Sequence, residues 1–282
     1  GDEVIIPDPS YVSYVPNVLM VHGVPVPVKT KAENDFRITA DEIENAVTKN
    51  TKAIILPYPN NPTGAVMEKQ HLEEIAKVIK KHDLIVISDE IYAELSYGIN
   101  HVSIASVEGM RERTILINGM SKAFAMTGWR MGYSISNKQI AKMIANYQSH
   151  ATSNPNTIAQ YATLAAVENE NPDQQKMLDE FDRRRKYMVE TVNNINGLSV
   201  QTPKGAFYAM VSIKGILGKK YNGKVINGSM DFAESLLEAT LTAVVPGYAF
   251  GIDDHIRLSY ATSMENIQKG LDRIKTFAEG LE

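Results

Sequence analysis

The chain has 282 residues, 44% of them hydrophobic and 22% charged, with a net charge of -4. This suits a soluble, two-domain globular protein, for which a cytoplasmic location is expected, and it excludes the basic footprint of a nucleic-acid or anionic-membrane binder. The absence of cysteine excludes disulfides and thiolate metal sites, no apolar run is long enough to span a bilayer, and the six histidines show no paired ligand spacing, so no metal is expected.

Val4 to Pro7 reads as a short buried strand. Tyr11 to Gly23 is helix-like but weakened by Pro16, and Val24 to Val28 is a second strand. Thr39-Ala40-Asp41-Glu42 carries the capping-box signature, a hydroxyl at the N-cap and a carboxylate three residues on. It opens a short helix with Ile43, Ala46 and Val47 on one face. Ala53 to Leu56 is an apolar strand. Leu72, Ile75, Ala76 and Ile79 recur at helical spacing and predict a helix from Glu68 to His82. Further strands are expected at Leu84 to Ile87, Thr114 to Ile117 and Met131 to Ile135.

Apolar strands alternating with helices indicate a parallel sheet covered on both faces. Ligands of such sheets collect beyond the carboxyl ends of the strands. Asn61, Asp89 and Lys122 each lie a few residues past the end of a different strand, which makes three scattered polar residues one candidate site.

Asn137 to Glu170 reads as mostly helical, interrupted at Ser153-Asn154-Pro155, and Asp173 to Ile195 as a long helix. From Leu198 short strands (Leu198 to Gln201, Ala206 to Ser212, Thr242 to Val245, His255 to Tyr260) mix with helices at Ser229 to Ala239 and Met264 to Gly280. That pattern predicts a smaller α+β unit, dividing the chain into residues 1–170 and 171–282. Lys214 to Gly228 holds four glycines and several lysines and is expected to be a mobile surface loop.

Lys122 directly follows a strand, and Arg130 comes eight residues later, beside Trp129 and between Gly128 and Gly132. A lysine there can be a nucleophilic amine and an arginine can hold an anion. Two motifs precede this segment, Pro59-Asn60-Asn61-Pro62-Thr63-Gly64 and Ser88-Asp89-Glu90-Ile91-Tyr92, and one follows it, Ile256-Arg257-Leu258-Ser259-Tyr260-Ala261. Together and in this order they resemble the motifs of class I/II aminotransferases, fold-type I enzymes that use pyridoxal 5′-phosphate (PLP). The bacterial aspartate aminotransferase subgroup is the resemblance within that family.

The resemblance implies a three-layer α/β fold with a mostly parallel sheet and a smaller α+β C-terminal domain. It implies that Lys122 is the catalytic Schiff-base lysine, with its amine deprotonated through burial or nearby cations. Asp89 is expected opposite the pyridine nitrogen, keeping it protonated so that the ring is an electron sink. Tyr92 and Asn61 are expected at the ring's phenolic oxygen and Tyr11 stacked on the ring. Ser121 and Arg130 are expected at the phosphate, and Arg257 at the substrate α-carboxylate. Plainer roles stand beside these: Asp89 as a helix N-cap, Asn61 as a turn former, Tyr11 as a core aromatic, Arg257 as an exposed strand arginine.

Two positions depart from the family. Gly119 stands where Ser or Thr often touches the phosphate, and Ser121 is the expected substitute. Ser149 stands where animal-type aspartate aminotransferases carry an arginine for the second substrate carboxylate. The family's main Gly-rich phosphate turn lies upstream of the position that Gly1 matches, so the chain is expected to lack an N-terminal part. The implied function is transfer of an amino group from an amino acid such as aspartate to a 2-oxo acid by a homodimer. The alternatives are a PLP lyase and an aminotransferase-like effector-binding module of a transcription regulator. An acidic balance argues against nucleic-acid contact by this segment.

Overall fold

A computed structural model describes residues 1–169 and 172–282. In chain order its first half holds β1 (Glu3–Asp8), α1 (Tyr14–Met20), β2 (Val24–Lys29), α2 (Ala40–Ala46), β3 (Thr51–Leu56), α3 (Lys69–Lys81), β4 (Ile85–Asp89), β5 (Thr114–Gly119) and β6 (Gly132–Ile135). These strands form one sheet in the order β2-β1-β3-β4-β5-β6. The β1–β2, β1–β3, β3–β4 and β4–β5 pairs are parallel and β5–β6 is antiparallel.

Successive side chains of a strand point to opposite faces, and the paired isoleucines exploit this. Ile5 and Ile54 pack with Ile43 of α2 and with Leu72, Ile75, Ala76 and Ile79 of α3, while Ile6 and Ile55 pack with Val18 of α1 on the other face. The sheet is thereby the middle of three layers. Truncating one of these fully buried isoleucines to alanine would cost about 2–5 kcal/mol. Pro16 falls in the first turn of α1, where its missing N–H is tolerated, so the expected weakening only shortens the helix. The capping box forms as expected. Glu42 N–H donates to Thr39 Oγ1 over 3.2 Å and Thr39 N–H to Glu42 Oε2 over 2.9 Å.

The second half holds α4 (Lys138–Ala151), α5 (Thr157–Glu168), α6 (Pro172–Asn193), β7 (Ser199–Val200), β8 (Tyr208–Ser212), β9 (Lys220–Tyr221), β10 (Lys224–Val225), α7 (Ser229–Thr240), β11 (Val245–Pro246), β12 (His255–Ser259) and α8 (Met264–Glu279). A second, antiparallel sheet runs β11-β12-β8-β7. Its core joins Val211 and Ile256 to Met188 and Val192 of α6, Phe232 and Leu236 of α7, and Leu271 and Ile274 of α8. Tyr92, Leu95 and Tyr97, which follow β4, belong to this second core. Tyr97 N–H donates to Lys204 O (2.9 Å) and Ala206 N–H to Leu95 O (2.8 Å), stitching the segment after β4 to the approach of β8.

One expectation needs correction. Lys214 to Gly228 is not a loose loop: β9 and β10 pair within it, and Ile216 and Ile226 are fully buried. The sheet is mostly parallel as expected, and its final strand is antiparallel, since a short connection with a 3-10 turn (Thr127–Trp129) joins β5 to β6 and offers no crossover helix. The expected division between residues 170 and 171 falls on the two residues outside the description. Among the described residues, no helix is long and apolar enough to cross a membrane.

Candidate active site

The ends of β3, β4 and β5 open on one cavity of about 640 Å³. Tyr11, Asn61, Asp89, Tyr92, Ser121, Lys122, Arg130 and Arg257 all line it. The site residues expected from the sequence are thus brought together from both sheets.

Asp89 ends β4, and a turn follows it rather than a helix. Its Oδ1 accepts the Ile91 N–H (3.1 Å) and its Oδ2 the Tyr14 hydroxyl (2.7 Å). The Glu90 N–H donates to Ile117 O (2.8 Å), which ties the turn to β5. Burial pushes the Asp89 carboxyl above its ordinary range, and the bonds from Tyr14 and Ile91 offset part of that rise. With one donor on each oxygen, the carboxylate keeps lone pairs for a cationic donor in the cavity.

Asn60, not Asn61, does the turn chemistry before Gly64. Its Oδ1 accepts the Thr63 N–H (3.2 Å) and hydroxyl (2.9 Å). Gly64 has φ +71°, and a Cβ there would lie 2.4 Å from Pro203 Cβ, so only glycine fits. Asn61 is left to accept from Arg257 Nη1 over 2.8 Å, with its amide N–H₂ free to donate. Arg257 is not an exposed strand arginine. Its guanidinium lies 4.4 Å from the Tyr208 ring centroid and 5.0 Å from that of Phe250. Its Nε is buried with no partner among the described residues. A half-buried guanidinium with a buried, unpartnered Nε suits an anion that arrives from the cavity.

Lys122 sits three residues beyond β5. Its Nζ lies 5.8 Å from the Tyr92 ring centroid and 5.7 Å from that of Phe207. Gly119, the departure from the family, pairs with Gly132. A Cβ on it would lie 2.7 Å from Met131 O and 2.9 Å from Gly132 Cα, so a serine or threonine has no room. Arg130 is exposed at the cavity, with Nη1 donating to Thr127 O (2.8 Å). Tyr11 stands edge-on to Tyr14, with ring centroids 5.7 Å apart. Ser149 is exposed and hydrogen-bonded to Asn146 O, and it is not part of the cavity wall.

The donor set has the chemistry PLP calls for: a primary amine, a buried carboxylate for a ring cation, a guanidinium for a phosphate, amide and phenol donors, and aromatic walls. The residues present therefore fit the cofactor.

Three participants escaped the sequence reading: Tyr14, Tyr208 and Phe250. Tyr14 had a signal, since it lies three residues from Tyr11 and such pairs share a helix face. Tyr208 and Phe250 reach Arg257 only through tertiary packing, which leaves no local mark.

The profile of the family described as aminotransferase class I and II matches residues 1–274. The chain is 43% identical to an aspartate aminotransferase of Pyrococcus abyssi over 282 residues, covering 98% of this chain and 69% of that protein. The crystal structure of the Rhizobium meliloti aspartate aminotransferase superposes with a TM-score of 0.97 at 38% identity, covering 100% of this chain and 72% of that one. An aromatic aminotransferase structure from Pyrococcus horikoshii gives 0.93 at 42% identity, covering 99% of this chain and 74% of that one. With this coverage, and a matching profile across nearly its whole length, the chain belongs to the class I and II aminotransferases, PLP-dependent enzymes that transfer amino groups between amino acids and 2-oxo acids.

Proposed function

We propose that this aminotransferase takes aspartate as its amino donor and works through Lys122, Asp89 and Arg257 as its principal residues. The observation that carries this assignment is the meeting of Asn61, Asp89, Lys122 and Arg257 on one cavity. The aspartate assignment leans on the names of the Pyrococcus abyssi and Rhizobium meliloti relatives. The resemblance to the Pyrococcus horikoshii aromatic aminotransferase supports aromatic amino acids as a second reading.

PLP, when bound, supplies the electron sink that lets an amino acid's Cα release its proton. Lys122 would hold it covalently, Asp89 would hold its ring nitrogen, and Asn61 and Tyr92 would donate to its ring oxygen. Arg130 and Ser121 would hold its phosphate, and Tyr11 would lie against its ring. Arg257 fixes the substrate's α-carboxylate and so orients the Cα hydrogen. Lys122 Nζ, as a free amine, would take that proton as general base and return it as general acid. Asp89, raised by burial, would be held ionised by the ring cation of the bound cofactor.

The assembly that fits is a homodimer. α4 has no buried side chain among the described residues, and Met143, Tyr147, Ile158 and Tyr161 expose apolar surface along α4 and α5. Ser153-Asn154-Pro155, between those helices, would then lie at the subunit boundary. Sedimentation tests this.

The assignment is tested by borohydride reduction in the presence of PLP, followed by peptide mapping. Label is expected on Lys122, and label on another lysine overturns it. Comparison of kcat/KM for aspartate and phenylalanine separates the two substrate readings.

A further inference from the structure

β8 and β12 are antiparallel neighbours, with Met210 opposite Arg257 and Tyr208 opposite Ser259. Tyr208 and Arg257 are therefore diagonal neighbours on one sheet face, a distance that long and aromatic side chains bridge. The Tyr208 ring fills that gap, 4.4 Å from the Arg257 guanidinium carbon. At its other end, the Tyr208 hydroxyl lies 3.2 Å from the Tyr92 hydroxyl. Tyr208 and Tyr92 are 9% and 5% exposed, and neither hydroxyl has another hydrogen-bond partner among the described residues.

One hydroxyl of this pair must donate and the other accept. If Tyr92 spends its proton on Tyr208, it has none left for an acceptor in the cavity. If Tyr208 donates, Tyr92 accepts through its oxygen and keeps its proton, strengthened as a donor by the bond it receives. Only Tyr92 has been assigned an acceptor, so the second order satisfies both groups. Burial first, and the neighbouring Tyr208 second, push the Tyr92 phenol far above its ordinary value, so it keeps its proton across the working pH range.

We propose that Tyr208 is a positioning residue for both halves of the reaction site: its ring seats Arg257 for the substrate carboxylate, and its hydroxyl donates to Tyr92 Oη, committing the Tyr92 proton to the ring oxygen of the cofactor. This rests on the site assignment above. It adds a physical link between the group that recognises the substrate and a group that tunes the cofactor.

The test uses the PLP-loaded chain and four variants: Tyr92→Phe, Tyr208→Phe, the double substitution and Tyr208→Leu. The first readout is the pH midpoint of the cofactor's visible absorbance. Tyr92→Phe and Tyr208→Phe should both move the midpoint in the same direction, and the double variant should coincide with Tyr92→Phe alone, because hydroxyls acting as a unit are not additive. Losing the Tyr208 hydroxyl should lower kcat roughly tenfold while leaving KM within about twofold. Tyr208→Leu, which removes the platform, should raise KM for the amino acid roughly tenfold. Midpoint shifts that simply add, or a Tyr208→Phe midpoint unmoved while that of Tyr92→Phe moves, overturn the hydroxyl chain. An unchanged KM in Tyr208→Leu overturns the platform. If Tyr92→Phe itself leaves the midpoint in place, Tyr92 does not face the cofactor, and the site assignment falls together with this inference.

Discussion

The Tyr14 hydroxyl donates to Asp89 Oδ2 over 2.7 Å, from the first residue of α1 to the last of β4. Burial raises the pKa of Asp89, and Tyr14 restrains the rise. The same contact, together with burial as the larger cause, lifts the Tyr14 phenol well above its ordinary value. The pair thus holds a carboxylate that is costly to ionise until a cation faces it.

That cost gives Asp89→Asn an unusual expected outcome. A carboxyl raised in the folded state keeps its proton there after the unfolded chain has lost it. Stability therefore falls as pH rises from the ordinary carboxylate value through the raised one, and stays lower above it. Removing the group should make the cofactor-free chain more stable at neutral pH, with no difference below the ordinary carboxylate value. Affinity for PLP should fall roughly ten- to a hundredfold through loss of one charge-assisted bond. Thermal unfolding across pH, without cofactor, checks the first part. A variant less stable than wild type at neutral pH would sink it.

Periodicity makes most elements legible in the sequence. The four apolar positions of α3 bury the face their spacing marks out, and Thr39 and Glu42 form both capping bonds. The site was legible because the parallel strand ends gather whatever polar residues follow them. Lys214 to Gly228 reads as a loop because its glycines outweigh two isolated isoleucines, Ile216 and Ile226, whose burial depends on helices and strands distant in sequence. The direction of β6 could have been inferred from the missing crossover helix. The Tyr208–Arg257 stack could not, because it exists only once β8 and β12 are in register.

Arg257→Lys should weaken binding of a 2-oxo acid by about 1.5–3 kcal/mol. A lysine cannot lie flat between Tyr208 and Phe250 or present a fork to a carboxylate. It would also leave Asn61 Oδ1 without its 2.8 Å partner. PLP affinity should change far less, and the two dissociation constants measured side by side decide it. A fall in cofactor affinity alone would mean that Arg257 has been given the wrong ligand.

Gly119→Ala should destabilise the chain by about 1–3 kcal/mol, a typical cost of forcing atoms into filled space. The added methyl meets Met131 O and Gly132 Cα, both backbone, so β5 and β6 must separate for it to fit. Since Lys122 and Arg130 sit on the segment joining those strands, PLP labelling of Lys122 should slow as well. Chemical denaturation and labelling rate are the two measurements. An undisturbed midpoint would show that this strand pair spreads without cost.

Glu90, next to Asp89, is a nearly buried carboxylate that the chemistry leaves unused. Its Oε1 accepts from Ser88 (2.9 Å) and Ser103 (2.6 Å), and its Oε2 lies 2.8 Å from His101 Nε2. Burial pushes its pKa up, but the bonds from His101 and Ser103 outweigh that, and the carboxyl ends below its ordinary value. A depressed folded pKa contributes stability that is present above the ordinary carboxylate value and lost as pH falls through the folded one. Glu90→Gln keeps the shape, replaces charge-assisted bonds by neutral ones, and should cost about 1–3 kcal/mol at neutral pH. The difference from wild type should shrink on acidification, where Glu90 is protonated in both folded and unfolded chains. Urea unfolding at a series of pH values follows it directly. A deficit that persists unchanged at the acid end would assign the loss to packing around Ser88 and Ser103 rather than to the charge of Glu90.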